Sequence, residues 1–138
     1  MRNLKSKLNR FNKDTKKRIN NFKIATARLI IWELIQNTPV DTSKALSNWI
    51  VDLGKANNRQ IMAHYVGSGG STQSASSHTA YMLGQAIISR AKVGEIIYIC
   101  NNVDYIELLN MGYSVQAERN FIQNSVQLAI DKAKRVKI

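Results

Sequence analysis

The residues best suited to chemistry in this chain are two histidines, one cysteine and a few acids, and their spacing does not combine them into a site. His64 and His78 are fourteen positions apart, which is far from the close spacing of metal ligands on one helix, so they form a poor metal-binding pair. Cys100 ends an apolar stretch, which is typical of a small buried side chain. The alternative is that Cys100 is a reactive thiol and the protein is an enzyme that depends on it. Asp104 and Glu107 are spaced as on the solvated face of a helix. Because no nucleophile, base and orienting group occur together, we predict a non-enzymatic protein without cofactor or metal.

A stretch rich in serine and glycine, residues 67–78, invites comparison with a phosphate-binding loop. It contains Gly67, Gly69 and Gly70, yet no Gly-Lys-Ser/Thr sequence follows, and no strand-to-helix transition surrounds it. Its composition instead predicts a flexible polar loop. A nucleotide site is therefore not expected here.

The length and composition predict one globular domain. The chain has 138 residues, of which 44 % are hydrophobic, enough for a packed core. A single cysteine excludes an internal disulfide and a multi-cysteine zinc site. The longest apolar stretch, residues 24–35, contains Arg28 and Glu33 and is shorter than the roughly 20 apolar residues that a membrane-spanning helix needs. We therefore expect no membrane partner.

Positive charge is concentrated at the two ends of the chain. Twenty Lys and Arg against nine Asp and Glu give a net charge of +11, and residues 1–23 alone carry nine basic groups and one acid. Residues 24–130 carry as many acids as bases. We therefore predict a basic amphipathic helical extension over residues 1–23 and a single α+β domain over residues 24–138. The basic residues predicted to contact a partner or DNA are Arg2, Lys5, Lys7, Arg10, Lys13, Lys16, Lys17, Arg18, Lys132, Lys134, Arg135 and Lys137.

A helical repeat predicts one long helix over residues 4–36, with no proline or glycine to interrupt it. Its apolar half is expected to be buried in the domain, and its basic half to project or to lie along a partner. The alternative is an ordinary core helix with a solvated basic face. Steps of four and three residues give the stripe Leu4, Leu8, Phe11, Thr15, Arg18, Phe22, Ala25, Leu29, Trp32 and Gln36.

The remaining pattern predicts an α+β fold in which the long N-terminal helix and two or three further helices pack on a small antiparallel sheet. Pro39 ends the first helix, and Asp41 or Thr42 is expected to cap the next turn. Residues 61–66 are a candidate strand beside two clearer ones. The other predicted elements are strands over residues 49–53 and 95–100 and helices over residues 79–92, 103–111 and 119–136.

The basic N-terminal segment has two interpretations. Its charge would attract the phosphates of nucleic acid independently of sequence. However, Phe11 and Phe22 are its only aromatic residues, too few for a base-stacking platform. They are better suited as apolar anchors of an amphipathic helix that docks in a protein groove.

Two short motifs resemble the neck or tail-completion proteins of tailed bacteriophages. The first is the turn with Pro39, Asp41 and Thr42 after a long helix, followed by a strand that bears Trp49. The second is the apolar strand leading to Asn101 and Tyr105 and a short helix that ends in Gly112. The resemblance covers roughly residues 20–130, and a final helix that contains Phe121 follows in both.

The resemblance implies a structural virion protein that forms a ring at the head–tail junction, assembled in the host cytoplasm. Its partners would be other copies of itself, in a ring of about six or twelve, together with the portal-side connector and the tail tube or tail terminator. It implies no catalytic residue; the motif positions shape turns and subunit surfaces. The basic ends would face either packaged DNA in the lumen or an acidic neighbouring ring. A small nucleic-acid-binding accessory protein is the alternative function.

Overall fold

A computed structural model of the chain describes residues 2–113 and 118–136. Within them, five helices and a two-stranded antiparallel sheet form an α+β arrangement, which confirms the predicted class. In chain order the elements are α1 (Arg2–Asn37), α2 (Lys44–Ser47), β1 (Ile50–Leu53), α3 (Gln73–Ile88), β2 (Ile97–Cys100), α4 (Ile106–Asn110) and α5 (Phe121–Arg135).

Helix α1 runs for 36 residues and ends where the sequence predicts. The residue before a proline is pushed away from helical geometry, and Pro39 follows Thr38. The Thr38 hydroxyl donates to the carbonyl oxygen of Leu34, and the indole N–H of Trp49 donates to Thr38 Oγ1 at 2.8 Å. These bonds satisfy polar groups at a buried helix end, which would otherwise be costly.

The buried face of α1 is not the stripe that the sequence indicates. Ala27, Ile31, Leu34 and Ile35 are buried in the core, whereas Trp32, a member of the stripe, is exposed. Leu4, Leu8 and Phe11 lie roughly 140–180° around the helix axis from Ile31, at about 100° per residue. The projecting stripe therefore faces away from the core instead of continuing it.

The sheet packs on α3 through a close backbone approach. Strands β1 and β2 pair antiparallel, with Val51 opposite Ile99. A Cβ atom added at Gly84 of α3 would lie 3.2 Å from Val51 and 3.3 Å from Ile31. The missing side chain thus lets α3 contact β1 and α1 together.

Helix α5 packs along the second half of α1. Phe121, Ser125, Ala129 and Ala133, at intervals of four residues, form its buried face. The small side chains of Ser125, Ala129 and Ala133, one on each turn, allow α5 to approach α1 closely. The start of α5 lies beside the end of α1, and Lys132 contacts Glu33, so the two helices run in opposite directions.

Several predicted boundaries are wrong. Residues 73–78 belong to α3 and not to a loop; buried Ser76 bonds to the backbone of Tyr65. Residues 61–66 form no strand, because side chains of Asn48, Ser47 and Ser76 take up backbone groups that a ladder would need. Trp49 lies just before β1 instead of in it.

Of the two predicted caps, Asp41 is wrong and Thr42 makes only a weak bond. Ser43, with φ 70°, occupies the N-cap position of α2 and makes no side-chain cap bond. Asp41 instead accepts a hydrogen bond from the loop at Gly69. Thr42 Oγ1 accepts only a long bond, 3.4 Å, from the N–H of Lys44.

Candidate interaction surfaces

The first surface is the projecting part of α1, residues 3–19, which we term the arm. All of its side chains are exposed except Thr15, which is half-buried. The arm extends for about 25 Å at 1.5 Å per residue. It is fixed at its base, where Asn20 Nδ2 donates to the carbonyl of Ala91 at 3.0 Å and Lys23 Nζ to that of Lys92 at 2.9 Å.

The arm combines apolar and basic side chains on one helix. Leu4, Leu8 and Phe11, which we term the arm stripe, are 59 %, 53 % and 67 % exposed. Lys5 and Lys7 flank this stripe, one on each side. Large apolar side chains so exposed on a monomer mark an interaction surface, and the basic rim indicates an acidic or anionic partner.

The two basic clusters of the sequence do not form one patch. Lys5, Lys7, Arg10, Lys13, Lys16, Lys17 and Arg18 lie on the arm, whereas the C-terminal cluster lies in the last turn of α5. There Lys134 and Arg135 are exposed, and positive charge suits a helix C-terminus. Lys137 and the side chain of Arg2 lie outside the described residues.

Lys132 differs from the other members of the basic set. Its Nζ forms an ion pair with Glu33 Oε1, and the Glu33 side chain is only 7 % exposed. A carboxylate buried at this position without an ionic partner would destabilise the fold, so the charge of Lys132 stabilises it. It is therefore a poor candidate for the partner contact that its sequence position predicts.

An apolar groove of about 580 Å³ lies at the base of the arm. It is bounded by Ile19, Phe22 and Ile30 of α1 and by Ile96, which precedes β2, and Ile97, its first residue. Lys16, Lys23 and Glu95 stand at its rim. The charge at this rim is mainly positive, as it is on the arm itself.

The second surface is a cavity of about 450 Å³ at the far end of α1, which we term the α4 groove. Four of the motif positions, Pro39, Asp41, Thr42 and Tyr105, line it, together with Leu109 and Tyr113 among others. Burial, and then the charge of nearby Asp41, raises the pKa of the Tyr105 phenol above its ordinary value. The groove thus combines apolar side chains with one acidic residue, Asp41, and one basic residue, Lys44.

The other three motif positions hold the backbone in place. Trp49 bonds to Thr38 as described above. Asn101 Nδ2 donates to the carbonyl of Ala45 at 2.8 Å, and its Oδ1 accepts from the N–H of Val103 at 3.2 Å. Gly112 has φ 94°, a backbone conformation that favours glycine, and it reverses the chain after α4.

The outward side of α4 adds to this second surface. Asp104, Glu107, Leu108 and Met111, which we term the α4 outer face, are all exposed. Sequence reasoning treated the two acids as a solvated helix face and missed their apolar neighbours. The signal in the sequence was that two acids, Asp104 and Glu107, stand next to the large apolar residues Leu108 and Met111, a mixture typical of a contact surface.

The residues considered for chemistry lie apart. Burial lowers the pKa of His64, whose backbone N–H bonds to Ser47, and Cys100 is half-buried in β2. Among the described residues, no three His, Cys, Asp or Glu are grouped as metal ligands would be. Over the same part of the chain, no helix has the length and apolar character that crossing a membrane requires.

Two exposed surfaces at opposite ends of α1 are therefore the candidate functional features. Comparison of the chain with protein-family models, with curated proteins and with solved structures gives no match.

Proposed function

We propose that this protein is a structural component of a phage neck, which forms a ring and joins the head connector to the tail. The observation that carries the proposal is the arm: about 25 Å of helix projects from the body with its large apolar side chains in solvent. Such a helix is stabilised when another molecule covers its apolar face.

The motif positions also support this function. Four of the seven positions that resemble the phage neck proteins, among them Asp41 and Tyr105, line the same groove.

The test is electron microscopy of lysates from a phage in which this reading frame is stopped early. We expect filled heads and detached tails lying side by side, and a plasmid copy of the intact frame restores joined particles. A plasmid copy that carries the stop is the matched control. Normal infectious tailed particles from the stopped frame would eliminate the neck function.

A nucleic-acid-binding accessory protein is the second candidate, because seven basic side chains of the described arm are exposed and none has an acidic partner there. Binding to phosphates predicts an affinity for duplex DNA that falls steeply with salt. If about six phosphates are neutralised, the log–log slope is near −5. A slope near zero would remove this candidate and leave the neck function untouched.

A further inference from the structure

We propose that the arm of one copy docks on the α4 groove and the α4 outer face of a second copy. This inference rests on the proposed ring, and it names the two surfaces that would meet between neighbouring subunits. The partner is therefore a second copy of this chain.

The length of α1 rules out docking within one molecule. The arm stripe and Pro39 lie at opposite ends of one uninterrupted helix, which separates them by about 50 Å at 1.5 Å per residue. An arm fixed at this distance cannot fold back to its own α4 groove. Only another copy can bring the two surfaces together.

The two surfaces match in their apolar content. The arm stripe offers Leu4, Leu8 and Phe11, side chains that are more than half exposed. The other surface offers Leu108, Met111 and Tyr113, which are 53 %, 58 % and 75 % exposed. A helix that lays its apolar stripe on such a surface buries both sets at once.

The charges of the two surfaces are opposite. The arm carries Lys5, Lys7 and Arg10 around its stripe, whereas Asp104 and Glu107 lie on the α4 outer face and Asp41 lines the α4 groove. Lys44 is the basic residue that lines the groove. The apolar groove at the base of the arm is less suitable, because Lys16 and Lys23 at its rim would repel a second arm.

A contact between two different surfaces is heterologous. An open chain of copies therefore has an unused arm at one end and an unused α4 surface at the other until the assembly closes. Such head-to-tail contacts form a ring when the rotation between copies closes, and a filament when it does not. This is the geometry that a neck ring requires.

The test compares two variants, each with one surface disabled. Phe11→Asp disables the arm, and Glu107→Lys with Leu108→Lys disables the α4 outer face; all three side chains are exposed in the monomer. Leu83→Asp, an equally exposed residue on α3, is the control. Sedimentation velocity should show self-association of the intact protein and of the control, weakened at least about tenfold in either variant.

Mixing the two disabled variants gives the sharper result. One retains a working arm and the other a working α4 outer face, so a one-to-one mixture should form dimers that grow no further. Dimer formation should weaken as salt rises from 0.05 to 0.5 M, because opposite charges steer the contact. A mixture that stays monomeric while the intact protein assembles, or an intact protein that stays monomeric, would overturn the inference.

The outcomes separate this inference from the proposed function. Rings that form equally well from both disabled variants would refute the docking and leave the neck function standing. The expected mixed dimers, together with normal tailed particles from the stopped reading frame, would refute the neck function alone. If Phe11→Asp abolishes DNA binding but leaves self-association unchanged, the arm serves DNA and the docking is refuted.

Discussion

The Asp41 carboxylate accepts a hydrogen bond from the backbone N–H of Gly69 at 2.7 Å, although the two residues are 28 positions apart. The Asp41 carbonyl accepts a second bond from Gly70 at 2.9 Å, and Ser43 Oγ lies 2.9 Å from Thr72 Oγ1. One turn after α1 therefore holds the stretch that leads into α3. This explains why a sequence rich in serine and glycine has a defined path here.

Asp41→Ala should release this stretch, because it removes the acceptor of the Gly69 N–H. We expect a loss of about 1–2 kcal/mol in the free energy of unfolding and faster amide hydrogen exchange at Gly69. Urea denaturation and hydrogen exchange measure the two effects. Asp131→Ala, whose carboxylate bonds to Gln127 one turn earlier in its helix, is the control. Unchanged exchange at Gly69 would contradict this explanation.

Gly84→Val should disrupt the contact of α3 with β1 and α1. Its Cβ would already lie 3.2 Å from Val51, and two further methyl groups overpack the site by about 1–3 kcal/mol. Ala86→Val, at an exposed position of the same helix, controls for the lower helix propensity of valine. Thermal unfolding compares them, and equal melting temperatures would show that the core adapts to the added side chain.

Lys132→Met should destabilise the fold by about 1–3 kcal/mol, because it leaves the buried Glu33 carboxylate with a hydrogen bond from Asn37 but no ionic partner. Lys134→Met, an exposed neighbour, should have little effect. Adding Glu33→Gln to Lys132→Met removes the unpaired charge and should recover part of the stability. Denaturant unfolding of the four proteins measures this, and a Lys132→Met protein as stable as Lys134→Met would show that the pair contributes nothing.

Removal of residues 1–18 should leave the fold intact and impair assembly. None of the described residues in this segment belongs to the buried core, so the melting temperature should change by less than about 3 °C. Incorporation into particles should be lost, because the arm stripe is absent. Circular dichroism and particle purification check the two parts. Normal incorporation of the truncated protein would show that the arm is dispensable.

Stability should fall at alkaline pH through Tyr105. Burial and Asp41 raise its pKa in the folded state above 10.0, so the unfolded chain releases this proton first. The contribution of Tyr105 is therefore complete below pH 10 and is lost as pH rises through the folded-state pKa. Tyr105→Phe should flatten the decline above pH 10, and Asp41→Asn should flatten it partly. An unaltered decline in Tyr105→Phe would contradict this assignment.

The local elements were largely determined by the sequence. A run without proline or glycine predicts α1, and Pro39 predicts its end, because these signals act on the backbone within a few residues. The β-branched run that contains Ile97 and Ile99 predicts β2 in the same way. The separation of a basic arm from a neutral body also follows from the order of the residues alone.

Only the tertiary structure decided which faces are buried. The stripe through Leu4 and Trp32 fits a helical period, but α3 and α5 cover the face of α1 that contains Ile31. These two helices come from distant parts of the chain, so the pattern within α1 does not show which face they cover. Residues 61–66 have strand-forming side chains, yet Asn48, Ser47 and Ser76 take up their backbone hydrogen bonds. The sequence predicts that Lys132 is a surface cation open to a partner, whereas in the fold it pairs with Glu33. The buried face of α1, the ion pair of Lys132 with Glu33 and the groove that Asp41 and Tyr105 share all depend on residues that are distant in the sequence. A local sequence pattern does not encode such relationships.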